Sequence, residues 1–252
     1  MIVARDLAPS QLDSVLGRTS PVLKLAISIV WLIGLATTTA LVPPLLLATV
    51  AVVGGLTLGA VPRRDLARAL APLWLAAVGL ATFGTLFGAA NADPAAATVA
   101  QLGPFRITAA ALIGGIGVGL RVAAIGAVGA VFALTTDSTR LVDSLVQQGR
   151  VPERFAYGAL AAYGAVPRFG EDLATIRQAR RIRGLRGSWH PRILVSLLVL
   201  AIRHGDRMAI AMDARGFGTV PRSRYREVRW SPLDPLVGGG AALVLVLALA
   251  LR

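Results

Sequence analysis

Residues 107–136 read ITAAALIGGIGVGLRVAAIGAVGAVFALTT, a long apolar stretch with a single charge at Arg121. A helix rises about 1.5 Å per residue and the hydrocarbon core of a bilayer is about 30 Å thick, so this stretch predicts a membrane-spanning helix. The same signature recurs on either side of it. Leu25 to Pro62 carries no charge, and Pro43-Pro44 divides it into two pieces of near-spanning length. Ala69 to Ala92 is uncharged, and Pro235 to Leu251 is almost wholly Leu, Val, Ala and Gly. The expectation is an all-α polytopic membrane protein of about five spanning helices. Composition agrees: 55% of the 252 residues are hydrophobic, only 15% are charged and the mean hydropathy is +0.68, too apolar for an ordinary soluble domain.

The basic residues predict the topology, because Lys and Arg in short loops are retained on the cytoplasmic side. Arg5, Arg18 and Lys24 precede the first span, and Arg63, Arg64 and Arg68 lie between the second and third. Seventeen arginines lie between Asp137 and Trp230, leaving only Arg106, Arg121 and Arg252 elsewhere. The N-terminus is therefore expected inside and the C-terminus outside, in the inner cell membrane. Insertion accounts for part of the net charge of +13 and a protein partner for the rest, so nucleic acid is not the expected ligand. Met1 to Ser20 is polar and of mixed charge, without the pattern of a cleaved signal, so the first span itself is expected to direct insertion. The absence of cysteine excludes disulfides and thiolate metal sites.

Three parts are expected: a membrane bundle of four spans over 1–136, a cytoplasmic or interfacial region over 137–230 and a last transmembrane helix over 231–252. In the middle region Thr136-Asp137-Ser138-Thr139 offers helix N-caps before Leu141, Val142 and Leu145. Gly149 stops that helix, and Val151-Pro152-Glu153 begins another. Phe155 to Pro167 and Ile193 to Ile202 are apolar but too short to span, and are expected against the bundle or along the interface. From Phe169 to Arg186 the pattern is amphipathic, with Leu173, Ile176 and Ala179 on one stripe and Arg177, Arg180 and Arg181 off it. Gly184 is placed to end this helix, since glycine tolerates the left-handed conformation of a C-terminal cap. A second helix is expected from Pro191 to Arg215, ending in the same manner at Gly216. An arginine followed by glycine is how many helices simply stop, and the helix dipole favours the cation there. Its repetition within one basic block points further, to two helix ends presented to an acidic partner.

These residues also carry a family resemblance. Thr135-Thr136-Asp137-Ser138-Thr139, Leu145, Val151-Pro152-Glu153-Arg154-Phe155 and Pro167-Arg168-Phe169 resemble the transmembrane T component of energy-coupling factor (ECF) transporters, the EcfT/CbiQ family. Ala179-Arg180-Arg181-Ile182-Arg183-Gly184 and Ala211-Met212-Asp213-Ala214-Arg215-Gly216-Phe217 extend the match, which is strongest from Thr135 to Gly218. The resemblance implies a non-enzymatic scaffold and energy coupler in an ABC-type importer. In such an importer a small integral-membrane S component captures a vitamin or metal ion, and two ABC-type ATPases hydrolyse ATP. The T component would couple them through two long cytoplasmic helices, each ending in an X-Arg-X motif docked on an ATPase. Arg183 and Gly184 match the first motif, and Ala214, Arg215 and Gly216 the second. Ile182 stands where the family has a small residue, so Ala179-Arg180-Arg181 offers an alternative register for the first. ATP and Mg would be used by the partners, with no cofactor bound by this chain.

Other features leave two alternatives open. Arg121 is a membrane-interior candidate, a charge within a span being a functional hypothesis by default. An independent secondary transporter would use it in an ion or substrate path. The glycines around it, Gly115, Gly119, Gly126 and Gly129 among them, instead suit close helix packing. A membrane-embedded enzyme acting on an amphiphile would use the basic region for headgroups, but no acid–base or metal constellation accompanies it. His190 and His204 are the only histidines, and Gly114 to Gly119 lacks the lysine of a phosphate-binding loop.

Overall fold

A computed structural model describes residues 9–93, 96–102, 105–185, 190–219 and 226–251. Arg5, Arg186, Arg222, Arg224 and Arg252, which entered the topology reading, lie outside the described residues. The elements are α1 (Pro9–Leu12), α2 (Val15–Arg18), α3 (Pro21–Thr37), α4 (Val42–Thr57), α5 (Arg63–Phe87), β1 (Thr98–Leu102), β2 (Phe105–Thr108), α6 (Ala109–Thr135), α7 (Ser138–Gln147), α8 (Glu153–Ile182), α9 (Pro191–Ala214) and α10 (Leu233–Ala250). They divide into two compact units, Asp6–Asp137 with Arg229–Arg252 and Ser138–Val228.

The first unit is the all-α membrane bundle. Arg63–Ala92, α6 and α10 are long and apolar enough to cross a bilayer, while α3 and α4 are shorter apolar helices of 17 and 16 residues. The length difference has a structural counterpart. The Lys24 ammonium at the start of α3 donates to the carbonyl of Thr135, the last residue of α6, at 2.7 Å. The Arg121 guanidinium, within α6, donates to the carbonyl of Thr38, the C-cap of α3. The two helices are thus antiparallel, and both intervals (24 to 38, 121 to 135) correspond to about 20 Å of helix. The α3–α4 turn therefore meets α6 about halfway along, not at its N-terminal end. Each cation satisfies a terminal carbonyl that has no partner within its own helix, at the negative end of that helix's dipole.

The long pair α5–α6 closes through glycine. A Cβ at Gly115 would lie 2.6 Å from the Thr85 nitrogen, and one at Gly119 would lie 2.7 Å from the Ala81 Cβ and 2.9 Å from the Ala77 carbonyl. Helices in lipid gain little from the hydrophobic effect and associate by such close backbone approach. α10 is held by Asp234, 3% exposed, whose carboxylate accepts from the backbone N–H of Ser20 at 2.8 Å and of Ser231 at 2.7 Å. One side chain so serves the N-terminal ends of both α3 and α10, where negative charge is favoured. Trp31, 7% exposed, adds a ring N–H donated to the Ala241 carbonyl at 3.1 Å.

The segment from Asn91 to Arg106, read from sequence as a plain loop, contains an antiparallel hairpin, β1 pairing with β2 from Thr98↔Thr108 to Leu102↔Phe105. Arg106, counted as a lone outer-loop cation, is its staple. Its guanidinium donates to the carbonyls of Asp93 at 3.0 Å and Ala96 at 2.7 Å, and to Thr98 Oγ1 at 2.7 Å.

The second unit is built on α8 and α9. The sequence reading placed one apolar segment before Pro167 and a separate amphipathic helix after Phe169; α8 instead runs unbroken through Pro167 for 30 residues. Proline fits helical φ and removes one backbone bond, and here the helix continues on both sides of it. The Tyr157 hydroxyl donates to the buried Asp143 carboxylate at 2.8 Å, joining α8 to α7. The Gln147 side chain pins the returning chain, accepting from Val228 N–H at 2.9 Å and donating to the Arg226 carbonyl at 2.8 Å. The apolar segment Ile193–Ile202 is the first part of α9. Ile193 is buried, but Leu194, Val195, Leu198 and Ile202 are at least half exposed within this unit.

Candidate functional site

Both long helices of the second unit end in the same six-residue device. At the end of α8, Gly184 takes φ +72°, its N–H donates to the Arg181 carbonyl at 3.0 Å, and the Leu185 N–H reaches back to the Arg180 carbonyl at 3.1 Å. At the end of α9, Gly216 takes φ +68°, its N–H donates to the Asp213 carbonyl at 2.9 Å, and the Phe217 N–H reaches the Met212 carbonyl at 3.0 Å. This paired bonding is the Schellman cap, which uses the left-handed residue to satisfy terminal carbonyls. A side chain at either glycine would be strained, and for Gly184 nothing else within 4 Å would stand in its way.

The cap sets the register of the arginines. Arg183 and Arg215 occupy the same position, immediately before the glycine, and both are exposed. Ile182 then aligns with Ala214, and Arg180 with Met212. Ile182 is 87% exposed, so the apolar residue at this position is presented to solvent. Arg180 lies one turn back and is half-buried, and its Nε has no hydrogen-bond partner. At the first tip Arg181 and Arg183 both face outward, and Arg183 is the one that holds the position before the glycine. The two tips differ in their neighbours: Arg180 and Arg181 flank the first, whereas exposed Asp213 adjoins the second.

The tips lie at opposite ends of the helix pair. A Cβ at Gly218, three residues beyond Arg215, would fall 2.8 Å from Arg154 Nε, in the first turn of α8. Arg215 therefore sits beside the start of α8 and Arg183 at its end, and a helix of this length extends about 45 Å. Two such tips form two separate cationic points on one helix pair. An arginine fork at each can pair with a carboxylate through two parallel hydrogen bonds.

Arg121, the membrane-interior candidate, is engaged with the Thr38 carbonyl as part of the α3–α6 clamp. His190 is the N-cap of α9, its Nδ1 accepting from the Arg192 N–H at 3.1 Å. Sequence reasoning missed Arg154 as the contact of the α9 tip, and missed Lys24 and Asp234 as ties within the bundle. Lys24 was legible only as a topology charge. Its partner lies more than a hundred residues away, and no local pattern announces it.

The fold defines a multi-pass membrane protein with a second unit built on a pair of long helices. The sequence pattern of the CbiQ family, described as cobalt transport protein, matches residues 13–226. The chain belongs to this EcfT/CbiQ family, the T components of ECF transporters. It is similar to the energy-coupling factor transporter transmembrane protein EcfT of Thermotoga maritima, 35% identical over 94 residues covering 33% of this chain and 35% of the relative. It is 30% identical to that of Limosilactobacillus fermentum, covering 48% and 52%, and 26% identical to that of Bacillus subtilis, covering 54% and 58%. The chain thus spans about a third to just under three fifths of the length of these curated relatives.

Proposed function

We propose that this chain is the transmembrane scaffold and energy-coupling subunit of an ECF-type importer. It links ATP hydrolysis by two cytoplasmic ABC-type ATPases to a small membrane-embedded S component that captures a vitamin or a metal ion. The chain itself is not an enzyme; ATP and Mg are handled by the ATPases, and no cofactor is needed here. It lies in the inner cell membrane with its N-terminus inside and its C-terminus outside. The paired helices α8 and α9 then face the cytoplasm.

The observation that carries this reading is the pair of identically capped arginines at opposite ends of α8–α9. Two separate tips suit two ATPase subunits, one on each. A rigid helix between them moves one tip when the other is pushed, so closure of the ATPases on ATP becomes a tilt of the helix pair. Arg183 and Arg215 serve as the docking cations. Arg180 and Ile182 border the first tip, and Gly184, Ala214 and Gly216 leave room for a partner's backbone.

The test is affinity purification of the tagged chain from its native membrane in mild detergent, beside an Arg183→Glu/Arg215→Glu variant. The expected result is capture of two ATPases and a small membrane protein by the wild type, with loss of the ATPases and of ATP-dependent uptake in the variant. ATPase capture and uptake that survive the double charge reversal would sink the assignment.

A further inference from the structure

All three helices of the second unit, α7, α8 and α9, end beside an arginine. The end of α7 differs from the two tips. It closes through the Gln148 N–H, donated to the Ser144 carbonyl at 2.8 Å, and the Val151 N–H, donated to the Leu145 carbonyl at 3.1 Å. The left-handed residue in this turn is Arg150, at φ +54°, although a glycine, Gly149, stands next to it. Among the described residues the only other non-glycine with positive φ is Ala60, in the bundle. A side chain in this conformation costs backbone energy that glycine avoids, and such strain collects at functional positions. Arg150 is exposed, so burial of its side chain does not offset that cost.

The end of α7 lies at the start of α8. Arg150 precedes Pro152, the N-cap of α8, by two residues, and Arg154 is in the first turn. The Arg154 guanidinium rests on Gly218, where a Cβ would fall 2.8 Å from Nε, 2.9 Å from Nη2 and 3.2 Å from Cζ. Gly218 follows Arg215 by three residues. The chain thus brings the end of α7, the start of α8 and the tip of α9 to one corner. Arg150, Arg154 and Arg215 are all exposed there. Among the described residues none of these three guanidiniums has a hydrogen bond or an ion pair, whereas Arg106 and Arg121 are spent on carbonyls of their own chain. Glu153 and Asp213 lie among the three cations in sequence, so the corner alternates in charge. A complementary surface sets carboxylates opposite the arginines, and the planar fork of each guanidinium fixes where they fall.

We propose that this corner is a composite docking surface, on which Arg150 and Arg154 join Arg215 in holding an acidic protein face that presents more than one carboxylate. The inference rests on the reading of Arg215 as an ATPase-docking cation and extends it. The second docking site is then built by three helices, and the first by the end of one. The strain held at Arg150 keeps a cation at the corner where glycine would serve the fold alone.

The test uses the tagged chain carrying Arg183→Met, in which only the second tip holds an ATPase, captured with its partners from native membrane in mild detergent. Arg150→Gly/Arg154→Gln is expected to lower ATPase capture at least about tenfold, the scale of a hydrogen bond between charged groups. The thermal midpoint is expected to stay level or rise, because glycine accepts the backbone conformation of residue 150. Arg203→Gln removes an exposed charge twelve residues before Arg215. That is about 18 Å along α9, beyond the reach of screened charge, and capture is expected to stay within about twofold. If Arg215→Met abolishes capture while Arg150→Gly/Arg154→Gln leaves it intact, the composite surface is overturned and the docking reading stands. Capture that survives Arg215→Met overturns the docking reading and this inference with it. An equal loss in Arg203→Gln would mean that total charge binds the partner, and overturns the composite surface as well. Should the double variant fail to fold, Arg154→Gln decides alone, with an expected loss of at least about threefold.

Discussion

The bundle and the paired-helix unit use cationic side chains in opposite ways. In the bundle, Lys24 and Arg121 turn inward to the last carbonyls of a neighbouring helix. In the paired-helix unit, Arg183 and Arg215 sit on the last residue before a Schellman glycine, whose backbone bonds already satisfy terminal carbonyls, and they face outward. The same chemical group is a structural tie where the helix end lacks other partners, and available for a partner where the cap has supplied them. A charge within a span is thus weaker evidence of function than an exposed charge at a helix end that does not need it.

The contrast is broken most directly by neutralising one arginine of each kind. Arg215→Met is expected to lower ATPase capture at least about a hundredfold, the scale on which stranding one partner of a desolvated ion pair acts, with an unchanged thermal midpoint for the isolated chain. Arg121→Met is expected to do the reverse. It leaves capture within about threefold but lowers bundle stability by about 1.5–3 kcal/mol, the contribution of a hydrogen bond to a charged group. Pull-down and thermal unfolding of both variants measure this together. Loss of capture in Arg121→Met at unchanged stability would move that residue back among the functional ones.

Asp234 sharpens the bundle side. Its carboxylate serves two backbone donors on two helices, so Asp234→Ala strands both. The expected loss is about 2–4 kcal/mol, on the scale of leaving buried donors unpaired, seen as a lower thermal midpoint. Asp234→Asn, which keeps an acceptor for only one of them, is expected to lose about half as much. Equal loss in both would mean that the charge, not the bonding, holds α10.

Much of this architecture was legible in the sequence because charge-free runs of spanning length have no other stable home. The helix ends were legible too, since the glycine at a left-handed cap is a local feature. The hairpin at Thr98–Thr108 was not, although Gly103-Pro104 between two short alternating segments is a turn signal. Strands of five and four residues, TVAQL and FRIT, are too short for their alternation to stand out. The break placed at Pro167 was wrong because proline removes one bond from a helix, and a helix of 30 residues with a packing partner tolerates that loss. The ties Lys24–Thr135 and Ser20–Asp234, and the close approach of Arg154 to Gly218, join distant residues, and a single sequence holds no periodicity that pairs them.

The smallest expected effect separates the two tips from each other. Arg180, Arg181 and Arg183 cluster at the first, whereas Arg215 at the second has Asp213 beside it. Association through the first tip therefore draws more on long-range attraction, which salt screens over about 10 Å at 0.1 M. In a chain carrying Arg215→Met, only the first tip remains, and its residual ATPase binding is expected to weaken about threefold to tenfold between 50 and 300 mM salt. In the Arg183→Met chain the second tip is expected to change by less than about twofold. A bidentate pair at close range, with an acid beside the arginine, has little net charge for salt to screen. Reversed slopes would mean that Arg180 and Arg181 serve the fold of α8 and lend nothing to its tip, leaving the two helix ends equivalent.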